Sequence, residues 1–214
     1  MPQGSEIQFN DGAAYERLMG RWSRIVGREF LRWCNVPAGV SWLDVGCGNG
    51  AFTEEIVANA NPAAVQAIDP SPAQIEYARQ RPGAAMARFA VGDAQELPFG
   101  NGEFDAAVMA LVIAFVPDPA KGVAELARVL KPGGLAAAYM WDLPAGGVPT
   151  APFYRTLKKM GVDAAMPPSA EVSAREPLER LWRAAGLDDV VMTEFRITVR
   201  FSDFDDFWSA NTLP

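Results

Sequence analysis

The 214-residue sequence predicts an α/β fold: an open, doubly wound, mostly parallel sheet with helices on both faces. Three observations carry the prediction. From Ser41 to Met140, short apolar runs alternate with helical patterns in a regular βαβα order. The strand runs are continuously apolar rather than alternating, as expected of strands covered on both faces. A glycine cluster, Gly46 to Gly50, follows the first strand directly and opens a helix. Right-handed crossovers then leave a doubly wound sheet as the simplest topology.

The elements follow in order. Asp11 to Arg21 and Ser23 to Trp33 read as two helices, with Leu18, Trp22, Ile25 and Val26 near one face. Pro37-Ala-Gly39 breaks the second. Ser41–Val45 is the first strand, and Phe52–Asn59 the helix after the glycines. Ala64–Ile68 is a strand ending at Asp69. Pro72–Arg81 is a helix with proline in its first turn, where the missing N–H costs nothing. Ala87–Val91 is the third strand and ends at Gly92-Asp93. Phe104–Ala110 is the fourth. In Pro119–Leu130, Val123, Leu126, Ala127 and Leu130 fall at i, i+3, i+4 and i+7, the spacing of one helix face. Lys131-Pro-Gly-Gly134 stops that helix, and Leu135–Met140 is the fifth strand. The remaining third is less regular. A Pro/Gly-rich loop over Asp142–Thr150 leads to a helix over Phe153–Met160. A loop over Ala164–Ser173 precedes a helix over Glu176–Ala185 capped by Gly186. One or two strands follow over Val190–Phe201, then a helix start at Asp203–Trp208. The stop at Pro214, just after that start, reads as a cut end.

The organisation expected is one domain over 1–214, with N-terminal lid helices at 11–35, a ligand-binding core at 40–141 and a substrate-side part at 142–214. Net charge is −7 and the pI about 4.7, which argues against a nucleic-acid partner. No run of 18 apolar residues is present, so no membrane span is expected. The polar N-terminus does not read as a secretory signal. Cys34 and Cys47 form neither a disulfide framework nor a zinc motif, which fits a reducing cytoplasm and no metal. There is no histidine. That removes Ser-His and Cys-His nucleophilic catalysis and His as a base, so the chemistry must rest on an activated cofactor, carboxylates or positioning.

Three motifs mark the carboxyl ends of the strands, where open α/β sheets bind ligands. In Asp44-Val-Gly46-Cys-Gly48-Asn-Gly50, glycines permit a tight turn and close approach of a ligand. Gly46, Gly48 and Ala51 also satisfy the dinucleotide fingerprint, so the string alone leaves the ligand open. Asp69 closes the second strand. A carboxylate there accepts from ribose hydroxyls of NAD or of an adenosyl cofactor alike; the alternative is a helix N-cap before Ser71-Pro72. Gly92-Asp93-Ala94 closes the third strand. Its carboxylate and backbone N–H could read an adenine edge, or simply form a turn.

Taken in order, Leu43-Asp-Val-Gly-Cys-Gly-Asn-Gly50, Ile68-Asp-Pro-Ser71, Gly92-Asp-Ala94 with Leu97-Pro-Phe99, and Phe104-Asp105 with Leu130-Lys-Pro-Gly-Gly134 resemble the successive motifs of class I S-adenosylmethionine-dependent methyltransferases, in the ubiquinone/menaquinone-biosynthesis-like group. The resemblance covers roughly residues 11 to 140 and implies a Rossmann-like fold and methyl transfer to a small molecule. Tyr15-Glu-Arg-Leu-Met-Gly-Arg-Trp22 resembles that group's lid helix, with Tyr15 as a lid contact. By the same resemblance, the backbone at Gly46, Cys47 and Gly48 holds the methionine part of S-adenosylmethionine, and Asp44 orients its ammonium. Asp69 binds the ribose, Pro70 packs on the adenine, Asp93 and Ala94 read its edge, and the main chain near Met109 completes the pocket. Where many relatives carry polar residues or His, this chain has Leu111-Val-Ile-Ala-Phe-Val116, which implies an apolar substrate or a buried helix.

Methyl transfer is an in-line displacement in which the cofactor carries the activation and the protein supplies binding and orientation. No catalytic residue is assigned. A hydroxyl acceptor would need a base, for which Asp118 and Asp142 are candidates, although each suits a turn or cap. Trp22, Phe115 and Trp141 could line the acceptor pocket or be ordinary core. The rival readings are an NAD(P)-dependent oxidoreductase, which gives Gly92-Asp-Ala94 no role, and a non-catalytic adenosyl-binding module. A third, transfer of a different group, stays within the fold. The oligomeric state is left open.

Overall fold

The computed structural model describes residues 12–163 and 165–211. Five parallel strands form one sheet in the order β3-β2-β1-β4-β5. They are β1 (Ser41–Val45), β2 (Ala64–Asp69), β3 (Arg88–Val91), β4 (Phe104–Ala110) and β5 (Leu130–Tyr139). The strand order reverses between β1 and β4, which makes the carboxyl ends of those two strands the switch point where a ligand crevice opens.

Side chains alternate across the sheet and sort the helices into two layers. Leu43, Val45, Ile68 and Met109 face α4 (Pro119–Arg128) and α6 (Arg175–Ala184), packing on Val123, Leu126, Leu178 and Trp182. Trp42, Val65, Ala106 and Val108 face α1 (Gly12–Cys34) and α2 (Ala51–Ala60) through Phe30, Leu31, Phe52 and Ile56. On that same side, Ala67 and Phe89 pack on Ile75 and Ala78 of α3 (Pro72–Arg79). The apolar runs of the central strands β1 and β4 are thus buried on both faces, as parallel strands require.

Several expectations are corrected. The two N-terminal helices are one, α1, without a break at Trp22. Met19, Ser23, Val26 and Phe30 carry one buried stripe straight through that point, so packing overrides the weak helix formers there. Strand β5 begins at Leu130, because Leu130 pairs with Phe104 before the Pro-Gly-Gly irregularity and Ala106 pairs with Leu135 after it. Residues 190–201 form no strand. From Phe195 to Phe201 alternate residues are half-buried, the pattern that reads as a strand, but the inward-facing ones pack on α1 instead of joining a ladder: Phe195 meets Trp33 and Phe201 meets Trp22. Beyond the sheet, α5 (Ala151–Lys159) and α7 (Phe204–Asn211) are joined by stacked rings of Phe153 and Phe207, 5.5 Å apart. Among the described residues no helix is long and apolar enough to cross a membrane.

Candidate functional site

The chain leaves β1 at Val45 and reverses through three glycines with left-handed backbone: Gly46 (φ 74°), Gly48 (φ 53°) and Gly50 (φ 80°). L-residues pay roughly 1–2 kcal/mol to adopt this conformation, so glycine is the inexpensive choice. The two neighbouring requirements differ. A methyl group on Gly46 would stand 2.5 Å from Val112 Cγ2, whereas one on Gly48 would meet nothing within 4 Å. Gly46 is small because the protein closes on it; Gly48 faces open space.

The turn is fastened to the end of β2. Gly46 N and Cys47 N both donate to Ile68 O, at 2.8 and 2.9 Å, and Gly48 N donates to Asp69 Oδ2 at 2.9 Å. The other oxygen, Oδ1, accepts from Ser71 N at 2.9 Å. Ser71, not Asp69, is the N-cap of α3, accepting from Gln74 N, so the capping alternative for Asp69 does not hold. Each Asp69 oxygen keeps a second lone-pair direction for an outside donor. Burial raises its carboxyl above the usual range, against the lowering pull of the Ser71 and Gly48 amides. Gly92 N donates to Asp69 O at 3.1 Å, which places Asp93 and Ala94 beside the end of β2.

Asp44 is fully buried in β1. Its Oδ2 accepts from Thr53 Oγ1 at 2.6 Å, while Oδ1 has no partner among the described residues. Burial pushes the carboxyl up to about 7; Thr53 pulls it down and the charge of Asp69 pushes it up further. A buried carboxylate oxygen without a donor is costly, and a cationic or N–H ligand arriving from the crevice would relieve it. Burial, with Asp44 and Asp69 nearby, also pushes the Cys47 thiol well up, so this thiol is held neutral and is no nucleophile.

The other expected positions are placed as follows. Pro70 is exposed next to Asp69. Asp93 is exposed and its carboxylate turns back onto Gln95, accepting from its N–H at 2.8 Å and from its side-chain amide at 3.2 Å. That is the turn geometry, and it leaves the acceptor capacity of a two-oxygen carboxylate incompletely used. Met109 is buried in β4, one residue past the Asp44–Val108 pair. Tyr15 lies in the first turns of α1, and its side chain falls outside the described residues. Leu111, Ile113, Ala114 and Val116 are buried, in a loop containing a short 3-10 turn, so burial accounts for this apolar run.

Both carboxylates considered as bases have the turn or cap role that the sequence also allowed. Asp118 caps α4 by accepting from Lys121 N at 3.0 Å, and Asp142 holds a turn by accepting from Ala145 N at 3.1 Å. Trp22 and Trp141 do meet, edge to face at 6.5 Å, and Trp141 Nε1 is buried without a partner among the described residues. Among the described residues no His/Cys/Asp/Glu group could hold a metal.

A polar cluster that sequence reasoning missed sits at the outer edge of the turn. Arg81 Nε donates to Asn49 O at 2.6 Å and its NH1 to Glu54 at 2.9 Å. Its NH2 donates to Glu16 of α1. These partners lie 32, 27 and 65 residues away, so no local pattern announces them.

Residues 43–138 match the family described as a methyltransferase domain. An O-methyltransferase of Penicillium expansum is 32% identical over 188 residues, 83% of this chain and 64% of that protein. A chloroplastic 2-methyl-6-phytyl-1,4-hydroquinone methyltransferase of Oryza sativa is 42% identical over 94 residues, 44% of this chain and 27% of that one. The chain thus spans between about a quarter and two thirds of the length of these relatives. The solved structure of a SAM-dependent methyltransferase from Aquifex aeolicus shares the fold, with a TM-score of 0.61 at 22% identity over 82% of this chain and 88% of that one.

Proposed function

We propose that the methyltransferase domain matched over residues 43–138 is of the class I S-adenosylmethionine-dependent kind, and that the chain moves a methyl group from S-adenosylmethionine to a small-molecule acceptor. The observation that carries the reading is the joint between the glycine turn and Asp69 at the switch point: an open face at Gly48, a clamped carboxylate and a buried unsatisfied oxygen on Asp44.

The residues present fit the cofactor. Asp44 Oδ1 receives its ammonium, directly or through water. The backbone of Gly46, Cys47 and Gly48 follows its amino-acid chain. Asp69 accepts from the ribose hydroxyls with the lone pairs left by Gly48 and Ser71. Pro70 covers one adenine face, Asp93 and the Ala94 N–H take its edge, and the main chain at Met109 closes the floor. Tyr15 is the lid contact. Bound there, the cofactor supplies an electrophilic methyl on a sulfonium. The protein's share is alignment and exclusion of water, worth roughly 7–11 kcal/mol when reactants are well oriented. With Asp118 and Asp142 committed to caps and turns, this reading favours an acceptor that is already nucleophilic over one needing a side-chain base.

The named relatives act on a hydroquinone in one case and are O-methyltransferases in another, which supports an organic small-molecule acceptor. Two free cysteines support a reducing compartment such as the cytoplasm, and the net charge of −7 disfavours a nucleic-acid partner. Calorimetric titration with S-adenosylhomocysteine and, separately, with NADH tests the reading. Micromolar binding of the first alone is expected; binding of NADH alone would overturn it in favour of the oxidoreductase.

A further inference from the structure

Two kinds of contact hold α1. Its carboxyl-terminal half is fixed by packing, with Val26, Phe30 and Leu31 buried against α2 and the sheet. Its amino-terminal half reaches the glycine turn through Glu16. That carboxylate, on a side chain only 22% exposed, accepts from Arg81 NH2, from Arg24 NH1 and, at 3.1 Å, from Asn49 Nδ2. Burial raises the Glu16 carboxyl, but Arg81 and Arg24 outweigh it and hold the group below its ordinary value, so it is ionised.

Every partner of Glu16 except Arg24 touches the turn. Asn49 precedes Gly50, and its Oδ1 accepts from Ala51 N at 3.2 Å, bonding the first amide of α2. That bond matters because Gly50, the N-cap of α2, has no side chain to cap with. Arg81 grips Asn49 O and Glu54, and its guanidinium lies 5.7 Å from the ring centre of Tyr77. Gly20, one helical turn after Glu16, is the second sign of the same arrangement. A methyl group there would stand 2.6 Å from Glu16 Oε1. A mid-helix glycine costs roughly 1 kcal/mol relative to alanine, and here its absent side chain leaves room for the carboxylate, whose Oε1 meets Arg24 and whose Oε2 meets Arg81 and Asn49.

We propose that Glu16 is a positioning residue for the cofactor turn: through Arg81 and Asn49 it fastens the amino-terminal half of α1 onto residues 48–51 and holds them in binding geometry. The proposal rests on the cofactor reading above for its consequence, and on the ion cluster alone for its existence. Because the Glu16–Arg81 pair is largely buried, added salt screens it little and the tie persists at physiological ionic strength.

The test uses the full chain and its Gly20→Ala and Glu16→Gln variants. Each is titrated with S-adenosylhomocysteine, with thermal midpoints and amide hydrogen exchange recorded on ligand-free protein. Gly20→Ala is the discriminating variant, because alanine strengthens a helix while displacing Glu16. The expected result is affinity lower by roughly tenfold, the loss of a charged hydrogen bond. It should come with a thermal midpoint unchanged or higher and faster exchange at Gly50 and Ala51. Glu16→Gln, which removes the charge and keeps the shape, should lose affinity likewise and speed exchange at the same two amides. Parent-like affinity and exchange in both variants would overturn the proposal. If the parent itself binds no S-adenosylhomocysteine, the cofactor reading fails, and the exchange rates at Gly50 and Ala51 alone decide whether Glu16 orders the turn.

Discussion

The amide of Gly48 donates to Asp69 Oδ2 at 2.9 Å, so one carboxylate at the end of β2 both shapes the glycine turn and faces the crevice beside it. Asp69 therefore has two separable duties. Asp69→Ala removes the acceptor for Gly48 N and Ser71 N and should cost roughly 1–3 kcal/mol of stability, the penalty for two amides left unpaired. The chain should stay folded while S-adenosylhomocysteine affinity drops by at least about tenfold. Asp69→Asn, which keeps one oxygen, should recover part of the stability but less of the affinity. Calorimetry beside thermal unfolding checks this; parent-like affinity in a folded Asp69→Ala protein would remove the ribose role.

Gly46 and Gly48 share a left-handed backbone and part company in what surrounds them. Gly46→Ala forces a methyl to 2.5 Å from Val112 Cγ2, so strain and overlap should together lower stability by roughly 2–4 kcal/mol. Adding Val112→Ala should return the overlap part and leave the backbone part. Gly48→Ala meets open space and should cost only about 1–2 kcal/mol of backbone strain, yet it puts a methyl on the surface proposed for the cofactor. It should therefore be the milder variant in thermal unfolding and equally severe in cofactor titration. Equal stability losses for both would contradict the packing difference.

Which of these features can be read from the chain follows from how far apart their partners lie. The glycine turn and Asp69 are visible because backbone geometry writes itself locally, as glycine where φ is positive and as a carboxylate at a strand end. Strands β1 and β4 match the expected bounds residue for residue, since a strand buried on both faces leaves a continuous apolar run. The Glu16–Arg81–Asn49 cluster leaves no such mark: its members sit on three separate segments, and each alone reads as an ordinary polar surface residue. Residues 190–201 mislead for the opposite reason. Their alternation is real, but it records packing on α1 rather than pairing in the sheet, and period two cannot tell the two apart.

Asp44 makes stability depend on pH in a predictable direction. Its carboxyl titrates near 7 in the folded chain, because of burial first, and near 3.8 as an ordinary aspartate. A raised value means the folded state holds the proton more tightly. This contribution is therefore greatest below about pH 4 and is lost as pH rises toward 7, on the order of a few kcal/mol. Ligand-free protein should show a thermal midpoint that falls over that window by more than in Asp44→Asn, whose side chain does not titrate. An identical pH dependence in the two proteins would place the titration elsewhere. Binding a cationic ammonium at Oδ1 should favour the ionised form, so near pH 7 cofactor binding should release up to about half a proton. Titrations in buffers of different ionisation enthalpy measure that release.

Thr53 sets where the window lies. Its hydroxyl donates to Asp44 Oδ2 at 2.6 Å inside a fully buried pair and is the one neighbour that lowers the Asp44 carboxyl. Thr53→Val keeps the shape and removes the donor, so Oδ2 joins Oδ1 in having no partner among the described residues. The carboxyl should then titrate above its present value, and near neutral pH a larger fraction of the ligand-free protein should hold the proton. Because the proposed ammonium contact requires the ionised form, S-adenosylhomocysteine should bind roughly fivefold more weakly at pH 7, the change expected when a half-ionised carboxyl rises by about one unit. The deficit should shrink as pH rises and nearly vanish by about pH 9, where both proteins are ionised. A purely structural role for Thr53 would instead weaken binding equally at every pH. Parallel curves of Kd against pH would thus assign Thr53 to packing, and converging curves assign it to control of Asp44.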